Sequence, residues 1–231
     1  MKIDLYADGA NEKEILFYNK QKRIKGLTTN PSLMKKSGVK NYQLFAKKIL
    51  KKVKKPISFE VFSDNFKDMY TQALKISSWG NNVFVKIPIT NSKGKSSISL
   101  IKKLSNKKIK LNITAIFTLD QISEVIKALD TQTSSIVSIF AGRIADTGRD
   151  PEPFMKHAYK LSKNKKKIKI LWASTREVFN IQQAIRCKSH IITVPTNILK
   201  KTKLNGYSLK KYSKDTVKEF YKDALAAGYK I

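Results

Sequence analysis

The chain has 231 residues, of which 41% are hydrophobic and 10% aromatic, enough for one large domain or two small ones with a substantial core. A single cysteine, Cys187, excludes an intramolecular disulfide framework and fits a reducing compartment. No apolar run approaches membrane-spanning length, and the N-terminal residues lack the long apolar segment of a signal peptide. We therefore predict a soluble, cytoplasmic protein with no membrane partner.

Lysine and arginine outnumber the acidic residues by 47 to 17, so the formal charge is +30. Three explanations are open: phosphate contacts with a nucleic acid, attraction of small anionic substrates, or a mutational bias toward codons rich in A and T. The lysines are spread through nearly every predicted helix, and their clusters at 47–55, 102–110 and 163–169 each precede a predicted strand. This spread favours bias and solvation, and it argues against a nucleic-acid partner.

Short apolar runs alternate along the chain with segments of helical periodicity. The predicted strands span residues 2–8, 26–28, 57–61, 83–87, 110–114, 136–140, 168–173 and 190–193. The predicted helices between them span residues 11–19, 42–52, 66–77, 96–105, 118–129, 153–164 and 176–186. For the helix at 66–77, Ser63 and Asp64 are the predicted N-terminal cap and Gly80 the predicted stop.

Strands separated by single helices imply parallel pairing with right-handed crossovers. Eight such units predict an α/β protein with a closed parallel sheet, a (β/α)8 or TIM barrel, formed as a single domain over residues 1–231. One further helix is predicted at 213–226, with apolar residues along one side. Because it follows the last barrel helix, it either caps the bottom of the barrel or packs on a neighbouring subunit.

Lys86 lies in the C-terminal half of an apolar strand, just before Pro88 ends the run. Its neighbours at 83–89 leave the strand no polar face, so the side chain must give up most of its hydration. Desolvation favours the neutral amine, which can attack a carbonyl, so the position suits a Schiff-base lysine. The alternative is a lysine that reaches solvent at the strand end or pairs with a carboxylate. The other lysines on predicted strands all lie at strand starts, near solvent: Lys2, Lys110 and Lys169.

Polar residues recur at the C-terminal ends of the predicted strands and in the loops that follow. They are Asp8, Thr28, Asn30, Glu60, Asn112, Thr114, Ser138, Arg143, Ser174 and Arg176, with Phe140 among them. In a (β/α)8 barrel these positions form the active site, and residues at period two along a strand point into the barrel together. We therefore expect them to line one site.

Several of these residues also have ordinary structural explanations. Asp8 and Asn30 precede turn-forming residues, and Ser174 is a common type of helix N-cap. Glu60 would be buried and unpaired in its strand, and a nearby lysine is its natural partner. Arg143 and Arg176, helped by the Ser174 hydroxyl, could hold one phosphate between them.

Two further side chains are of types that often take part in chemistry. Cys187 is a weak candidate nucleophile because no histidine lies near it in sequence. His190 is predicted to begin a strand, and we interpret it as structural.

Five motifs in chain order resemble the transaldolase family, and the length resembles its small-subunit branch, which includes fructose-6-phosphate aldolase. The motifs are GLTTNPS at 26–32, VFVKIPIT at 83–90, NIT at 112–114, SIFAGR at 138–143 and ASTR at 173–176. The resemblance extends from Asp8 to the C-terminal helix, and the first two motifs are specific when they occur together.

This resemblance implies a class I enzyme with no metal and no cofactor. Lys86 would form the Schiff base, Asp8 would take the proton released by carbon–carbon cleavage, and Glu60 would shuttle protons through a water held with Thr114. The sugar would be bound by Thr28, Asn30, Asn112, Ser138 and Phe140, and its phosphate by Arg143, Ser174 and Arg176. The branch also forms pentamers and decamers, so a homo-oligomer is expected.

Within the family, Glu60 and Phe140 match transaldolase, because the aldolase branch carries glutamine and tyrosine there. Ile139, Ala145 and Arg149 depart from the usual pattern and leave acceptor preference open. The predicted reaction transfers dihydroxyacetone from sedoheptulose 7-phosphate or fructose 6-phosphate to glyceraldehyde 3-phosphate or erythrose 4-phosphate, in the non-oxidative pentose phosphate pathway. The alternatives are an aldolase that releases free dihydroxyacetone, a basic nucleic-acid-binding protein and an inactive paralogue.

Overall fold

The computed structural model describes residues 3–230 and contains a closed barrel of parallel strands. The strands are β1 Asp4–Asp8, β2 Ile24–Thr28, β3 Ile57–Glu60, β4 Val83–Pro88, β5 Leu111–Ile116, β6 Ser135–Ile139, β7 Ile168–Trp172 and β8 Ile191–Pro195. Each strand pairs in parallel with the next, and β8 pairs with β1. The predicted (β/α)8 fold is therefore confirmed, although Lys2, the predicted start of the first strand, lies outside the described residues.

Helices follow the strands in the order that the sequence predicts. They are α1 Glu12–Lys20, α2 Pro31–Lys36, α3 Tyr42–Lys52, α4 Phe66–Ser77, α5 Ile98–Asn106, α6 Leu119–Ala128, α7 Ala141–Asp146, α8 Glu152–Ser162, α9 Asn180–Arg186, α10 Thr196–Lys201 and α11 Leu209–Ala227. The sequence did not predict α2, α7 and α10, which have six residues each and are too short to display a helical period. Over residues 3–230, none of these helices combines the length and the apolar character needed to span a membrane.

Three predicted helix boundaries differ from the structure. The cap of α4 is Asn65, whose Oδ1 accepts a hydrogen bond from the Asp68 amide at 2.8 Å, whereas the Asp64 carboxylate accepts bonds from Ser92 in another loop. The helix ends at Ser77, so it stops before Gly80. The predicted helix at 176–186 begins only at Asn180.

The barrel interior is layered, with apolar side chains beneath polar ones. The apolar layer contains Tyr6, Phe84, Ile136, Leu171 and Ile191. Two residues further along their strands, the same inward face carries Asp8, Lys86, Ser138 and Thr193, because side chains alternate along a strand. On β2 the interior position is Gly26, where a Cβ would lie 2.3 Å from the Tyr6 ring. Because glycine has no side chain, the Tyr6 ring can occupy this space. The apolar layer thus forms the floor of a polar site.

The chain separates into two compact units, Met1–Leu199 and Lys200–Ile231. The first holds the barrel. The second contains a 3₁₀ turn at Thr202–Leu204 and α11, which includes the predicted helix at 213–226 and begins earlier, at Leu209. Its apolar residues Val217, Phe220, Tyr221 and Leu225 are each more than 60% exposed. That all 231 residues form one domain stays a prediction.

Candidate active site

A cavity of about 480 Å³ opens at the C-terminal ends of the barrel strands. Its wall includes every residue that the sequence assigned to the site: Asp8, Thr28, Asn30, Glu60, Lys86, Asn112, Thr114, Ser138, Phe140, Arg143, Ser174 and Arg176. These residues come from seven of the strands and the loops after them, so only the closed sheet brings them together.

Lys86 lies at the inner end of this cavity and is 7% exposed. The register of β3 and β4 places it directly beside Glu60, and its Nζ lies 2.9 Å from Glu60 Oε2. Nζ also donates a hydrogen bond to the backbone carbonyl of Thr29 at 3.0 Å. The lysine therefore pairs with a carboxylate, one of the alternatives that the sequence left open, and it does so inside the site. A carboxylate at this distance can take the ammonium proton and so free the amine for attack.

Asp8 forms the second carboxylate of the site and is linked to two threonines. Its Oδ1 accepts a hydrogen bond from Thr28 Oγ1 at 2.7 Å, and Thr28 Oγ1 lies 2.5 Å from Thr193 Oγ1. Burial raises the pKa of the Asp8 carboxyl, while the Lys86 ammonium and the Thr28 hydroxyl act in the opposite direction. A carboxyl with a raised pKa is a better acceptor for a substrate proton than one in water.

Sequence reasoning missed two residues of this polar layer, Thr193 and Ser58. The Thr28 hydroxyl has one proton and donates it to Asp8, so the short contact with Thr193 requires the Thr193 hydroxyl to be the donor there. Ser58 Oγ accepts from Asn112 Nδ2 at 2.9 Å. The alternation rule could have found both, since Ser58 lies two residues before Glu60, and Thr193 lies at the end of a predicted strand.

Asn112 is fixed between two serines. Its Nδ2 donates to Ser58, and its Oδ1 accepts from Ser138 Oγ at 2.6 Å. All three side chains are buried. The amide is therefore held in one orientation at the cavity wall, as a group that recognises a sugar hydroxyl requires.

Thr114 offers a free hydroxyl to the same cavity. Its Oγ1 is buried and has no hydrogen-bond partner within residues 3–230. The next residue, Ala115, has a φ of 58°, and the pairing of β5 with β6 shifts register there. A buried hydroxyl without a partner costs free energy, so a water or a ligand group at Thr114 would be favoured.

The opposite rim is formed by α7, which follows β6, and by the loop after β7, and the two touch at Gly142. A Cβ on Gly142 would lie 1.6 Å from the Ser174 carbonyl oxygen, and the Gly142 amide donates to the Ala173 carbonyl at 3.3 Å. Ser174 has a φ of 64° and does not cap α9, so its predicted N-cap role is wrong. This backbone contact brings Arg143 and Arg176 to one rim of the cavity.

The two arginines have different partners. Arg176 Nε lies 3.1 and 3.2 Å from the oxygens of Asp146, and its Nη2 lies 2.5 Å from Oδ2. The hydrogen bonds from Arg176 hold the pKa of Asp146 below its usual range. The Arg143 guanidinium lies over the Phe140 ring, 5.5 Å from its centroid. Two cations and one carboxylate leave the rim positive, which suits a phosphate.

The hydrogen bonds or burial of three other residues limit the roles that they can have. Asn30 lines the cavity, but its Oδ1 caps α2 by accepting from the Leu33 amide at 2.9 Å. Cys187 is outside the cavity wall, 1% exposed, and burial raises the pKa of its thiol to about 12, so it is a poor nucleophile. His190 precedes β8, and its Nδ1 accepts from the Ile170 amide at 3.0 Å, as a structural histidine would.

Comparisons with known proteins identify relatives of this chain. A family model described as transaldolase/fructose-6-phosphate aldolase matches residues 5–231. A probable transaldolase of Clostridium kluyveri is 34% identical over 198 residues, which cover 85% of this chain and 88% of the relative. A probable transaldolase of Thermoplasma volcanium is 34% identical over 201 residues, 86% of each chain. One of Streptococcus agalactiae is 31% identical over 82% of this chain and 85% of the relative. The chain therefore belongs to the transaldolase/fructose-6-phosphate aldolase family.

Proposed function

We propose that this protein is a transaldolase that carries a dihydroxyacetone unit on Lys86 from a ketose phosphate to an aldose phosphate. The observation that supports this most directly is the buried contact of 2.9 Å between Lys86 Nζ and Glu60 Oε2, in a cavity that Asp8 also lines. An amine, a proton acceptor beside it and a second carboxylate are the groups that a Schiff-base carbon–carbon cleavage needs.

The first stage forms the Schiff base. Glu60 takes a proton from the Lys86 ammonium, and the free amine adds to the ketose carbonyl to give a carbinolamine. The carbinolamine hydroxyl then leaves as water with a proton returned from Glu60, which yields the iminium. The unpartnered Thr114 hydroxyl provides a place to hold a water during this exchange.

The second stage breaks and remakes a carbon–carbon bond. Asp8 takes the proton of the C4 hydroxyl, the C3–C4 bond breaks, an aldehyde forms, and the bonding electrons neutralise the iminium as an enamine. The enamine then attacks the acceptor aldehyde, and Asp8 returns the proton to the new hydroxyl. Addition of water to the resulting iminium releases the product and regenerates Lys86.

Substrate recognition is proposed to follow the two sides of the cavity. Thr28, Asn30, Asn112, Ser138 and Phe140 are assigned to the sugar chain, and Arg143, Ser174 and Arg176 to the phosphate. Candidate donors are sedoheptulose 7-phosphate and fructose 6-phosphate, and candidate acceptors are glyceraldehyde 3-phosphate and erythrose 4-phosphate. This chemistry fits the non-oxidative pentose phosphate pathway in the cytoplasm.

The alternative activity is an aldolase that releases free dihydroxyacetone, since the matching family is described by both activities. A transfer assay separates the two. With fructose 6-phosphate as donor, we expect little turnover alone and much faster turnover once erythrose 4-phosphate is added. Turnover that is unchanged by the acceptor, with free dihydroxyacetone as product, would favour the aldolase. Lys86→Met should abolish either activity. Lys110→Met should not, because Lys110 immediately precedes β5 and so lies at the N-terminal end of the barrel strands, away from the cavity.

The protein is also proposed to be a homo-oligomer, a pentamer or decamer in which α11 packs on a neighbouring subunit. The supporting observation is the exposed apolar set on α11, since Val217, Phe220, Tyr221 and Leu225 are each more than 60% exposed. Apolar residues grouped on one helix commonly mark a protein contact.

A further inference from the structure

Glu60 is the last residue of β3, and at this residue β3 no longer pairs with β2. The pairing of β2 with β3 covers Ile57 and Ser58 of β3, and its last bond runs from the Thr29 amide to the Ser58 carbonyl at 3.2 Å. After Thr29 the chain turns into α2, which begins at Pro31. Backbone groups of alternate residues face the same neighbour, so the amide and carbonyl of Glu60 face the side that β2 has left.

The Tyr42 hydroxyl fills this place. It accepts a hydrogen bond from the Glu60 amide at 2.8 Å and donates one to the Glu60 carbonyl at 2.8 Å. One phenol thus makes both bonds that a paired strand would have made, which is possible because a phenolic oxygen is both donor and acceptor. Burial raises the pKa of Tyr42, so the phenol keeps the proton that it donates.

The Tyr42 ring is itself held in place by other aromatic side chains. Its centroid lies 6.2 Å from that of Phe59, 5.5 Å from that of Phe62 and 5.7 Å from that of Trp79, and the first two contacts are edge-on. Tyr42 is the first residue of α3 and is absent from the wall of the cavity that holds Lys86. It therefore touches the backbone of Glu60 and none of the space assigned to substrate.

We propose that Tyr42 is a positioning residue for Glu60: its hydroxyl fixes the free edge of β3 so that the Glu60 carboxylate stays beside the Lys86 amine. The inference rests on the proposed function in so far as Glu60 moves protons to and from Lys86. Without the hydroxyl, two backbone groups lose their partner and the strand end is free to shift. Proton transfer falls steeply with such a shift, while the sugar and phosphate contacts are untouched.

The test is the rate at which borohydride with fructose 6-phosphate labels the protein on rapid mixing, measured for the unaltered chain and for Tyr42→Phe. We expect labelling and kcat to fall about tenfold in Tyr42→Phe, with KM nearly unchanged. This is less than the roughly 10²- to 10⁴-fold that general acid–base catalysis usually contributes, because Glu60 is displaced and not removed. The matched control is Trp79→Phe, which alters the same aromatic cluster but keeps the hydroxyl, and it should label at the normal rate.

A double-mutant cycle separates positioning from a general effect on folding. If Tyr42 acts through the Glu60 carboxylate, Tyr42→Phe should slow labelling little in a Glu60→Gln background. Equal slowing in both backgrounds, normal labelling by Tyr42→Phe, or loss of its fold at the assay temperature would overturn the inference. Absence of any adduct in the unaltered protein would instead refute the proposed function, and this role for Tyr42 with it.

Discussion

The ammonium group of Lys86 is enclosed by the barrel, and it has two partners, the Thr29 carbonyl at 3.0 Å and the Glu60 carboxylate at 2.9 Å. An unpaired charge at this depth would cost several kcal/mol, so the partners explain why a lysine is tolerated in an otherwise apolar strand. The same contact supplies the proton acceptor that the amine needs. The sequence indicated that Glu60 needs a nearby lysine and left open that Lys86 pairs with a carboxylate, but the register of β3 and β4 identifies the two as partners.

The hydroxyl chain from Thr193 through Thr28 to Asp8 leads to a prediction about pH. The Thr28 hydrogen bond lowers the pKa of Asp8, and the Thr193 donor strengthens that bond by polarising it. Thr193→Val removes the donor, so the pKa of Asp8 should rise. Because Asp8 acts as a base in the proposed mechanism, the acid limb of kcat/KM should then move to higher pH.

The test compares the pH dependence of kcat/KM for Thr193→Val with that for Thr193→Ser, since serine keeps the hydroxyl donor. Thr175→Val provides a second reference, because the Thr175 hydroxyl bonds only the backbone carbonyl of Thr193 among the contacts described, at 2.7 Å. Acid limbs that coincide in the valine and serine variants at position 193 would show that the hydroxyl chain has no influence on Asp8.

Asp8 is also expected to reduce stability at neutral pH. Burial raises its pKa in the folded state, so the folded protein holds this proton more tightly than the unfolded chain. Stability from this group is therefore greatest below the unfolded pKa and declines as the pH rises through the raised value. Asp8→Asn should raise Tm at pH 7 and abolish activity, with a smaller gain in Tm at acid pH. A lower Tm at pH 7 would contradict this reading.

At the scale of elements, the proposed phosphate site depends on how closely α7 and the loop after β7 approach each other. A Cβ at Gly142 would overlap the Ser174 carbonyl at 1.6 Å, so no side chain can be accommodated without separating the helix from that loop. The strand order and most helices could be predicted, because eight apolar runs alternate with long amphipathic segments. The loop contact, the Arg176–Asp146 pair and the α4 cap could not, because each depends on tertiary neighbours or on a choice among adjacent cap residues.

Gly142→Ala should separate Arg143 from Arg176 and weaken phosphate binding. We expect KM for fructose 6-phosphate to rise at least about tenfold, the order expected when a charge-assisted hydrogen bond is lost, while kcat with unphosphorylated fructose changes little. Gly148→Ala is the matched control. Gly148 has a φ of 77°, and nothing lies within 4 Å of a Cβ built there, so the substitution introduces backbone strain without a steric overlap. Equal KM values in the two variants would contradict the proposed rim.

For the whole molecule, the charge of +30 is not concentrated at the site. The formal charges of Lys86, Arg143 and Arg176 in the cavity wall are matched by those of Asp8, Glu60 and Asp146. The excess of lysine therefore lies elsewhere on the surface, where it affects solubility more than chemistry. Sequence reasoning could predict the charge and the C-terminal helix, but the subunit arrangement depends on surfaces that no periodicity specifies.

Oligomer formation through α11 is tested by changing its apolar residues. Phe220→Glu with Leu225→Glu should dissociate the proposed assembly, because charges would be buried against a neighbour, and sedimentation velocity would report a smaller species. Lys218→Glu, on the same helix, is a control of similar charge change. If the unaltered protein, the double variant and Lys218→Glu sediment identically, α11 does not form a subunit contact through Phe220 and Leu225.

In the proposed mechanism one amine, Lys86, carries the substrate fragment. Treatment with fructose 6-phosphate and borohydride, followed by proteolysis and mass spectrometry, should place a stable adduct on the peptide that contains Lys86 and on no other lysine peptide. An adduct on another of the many lysines, or none at all, would contradict the account.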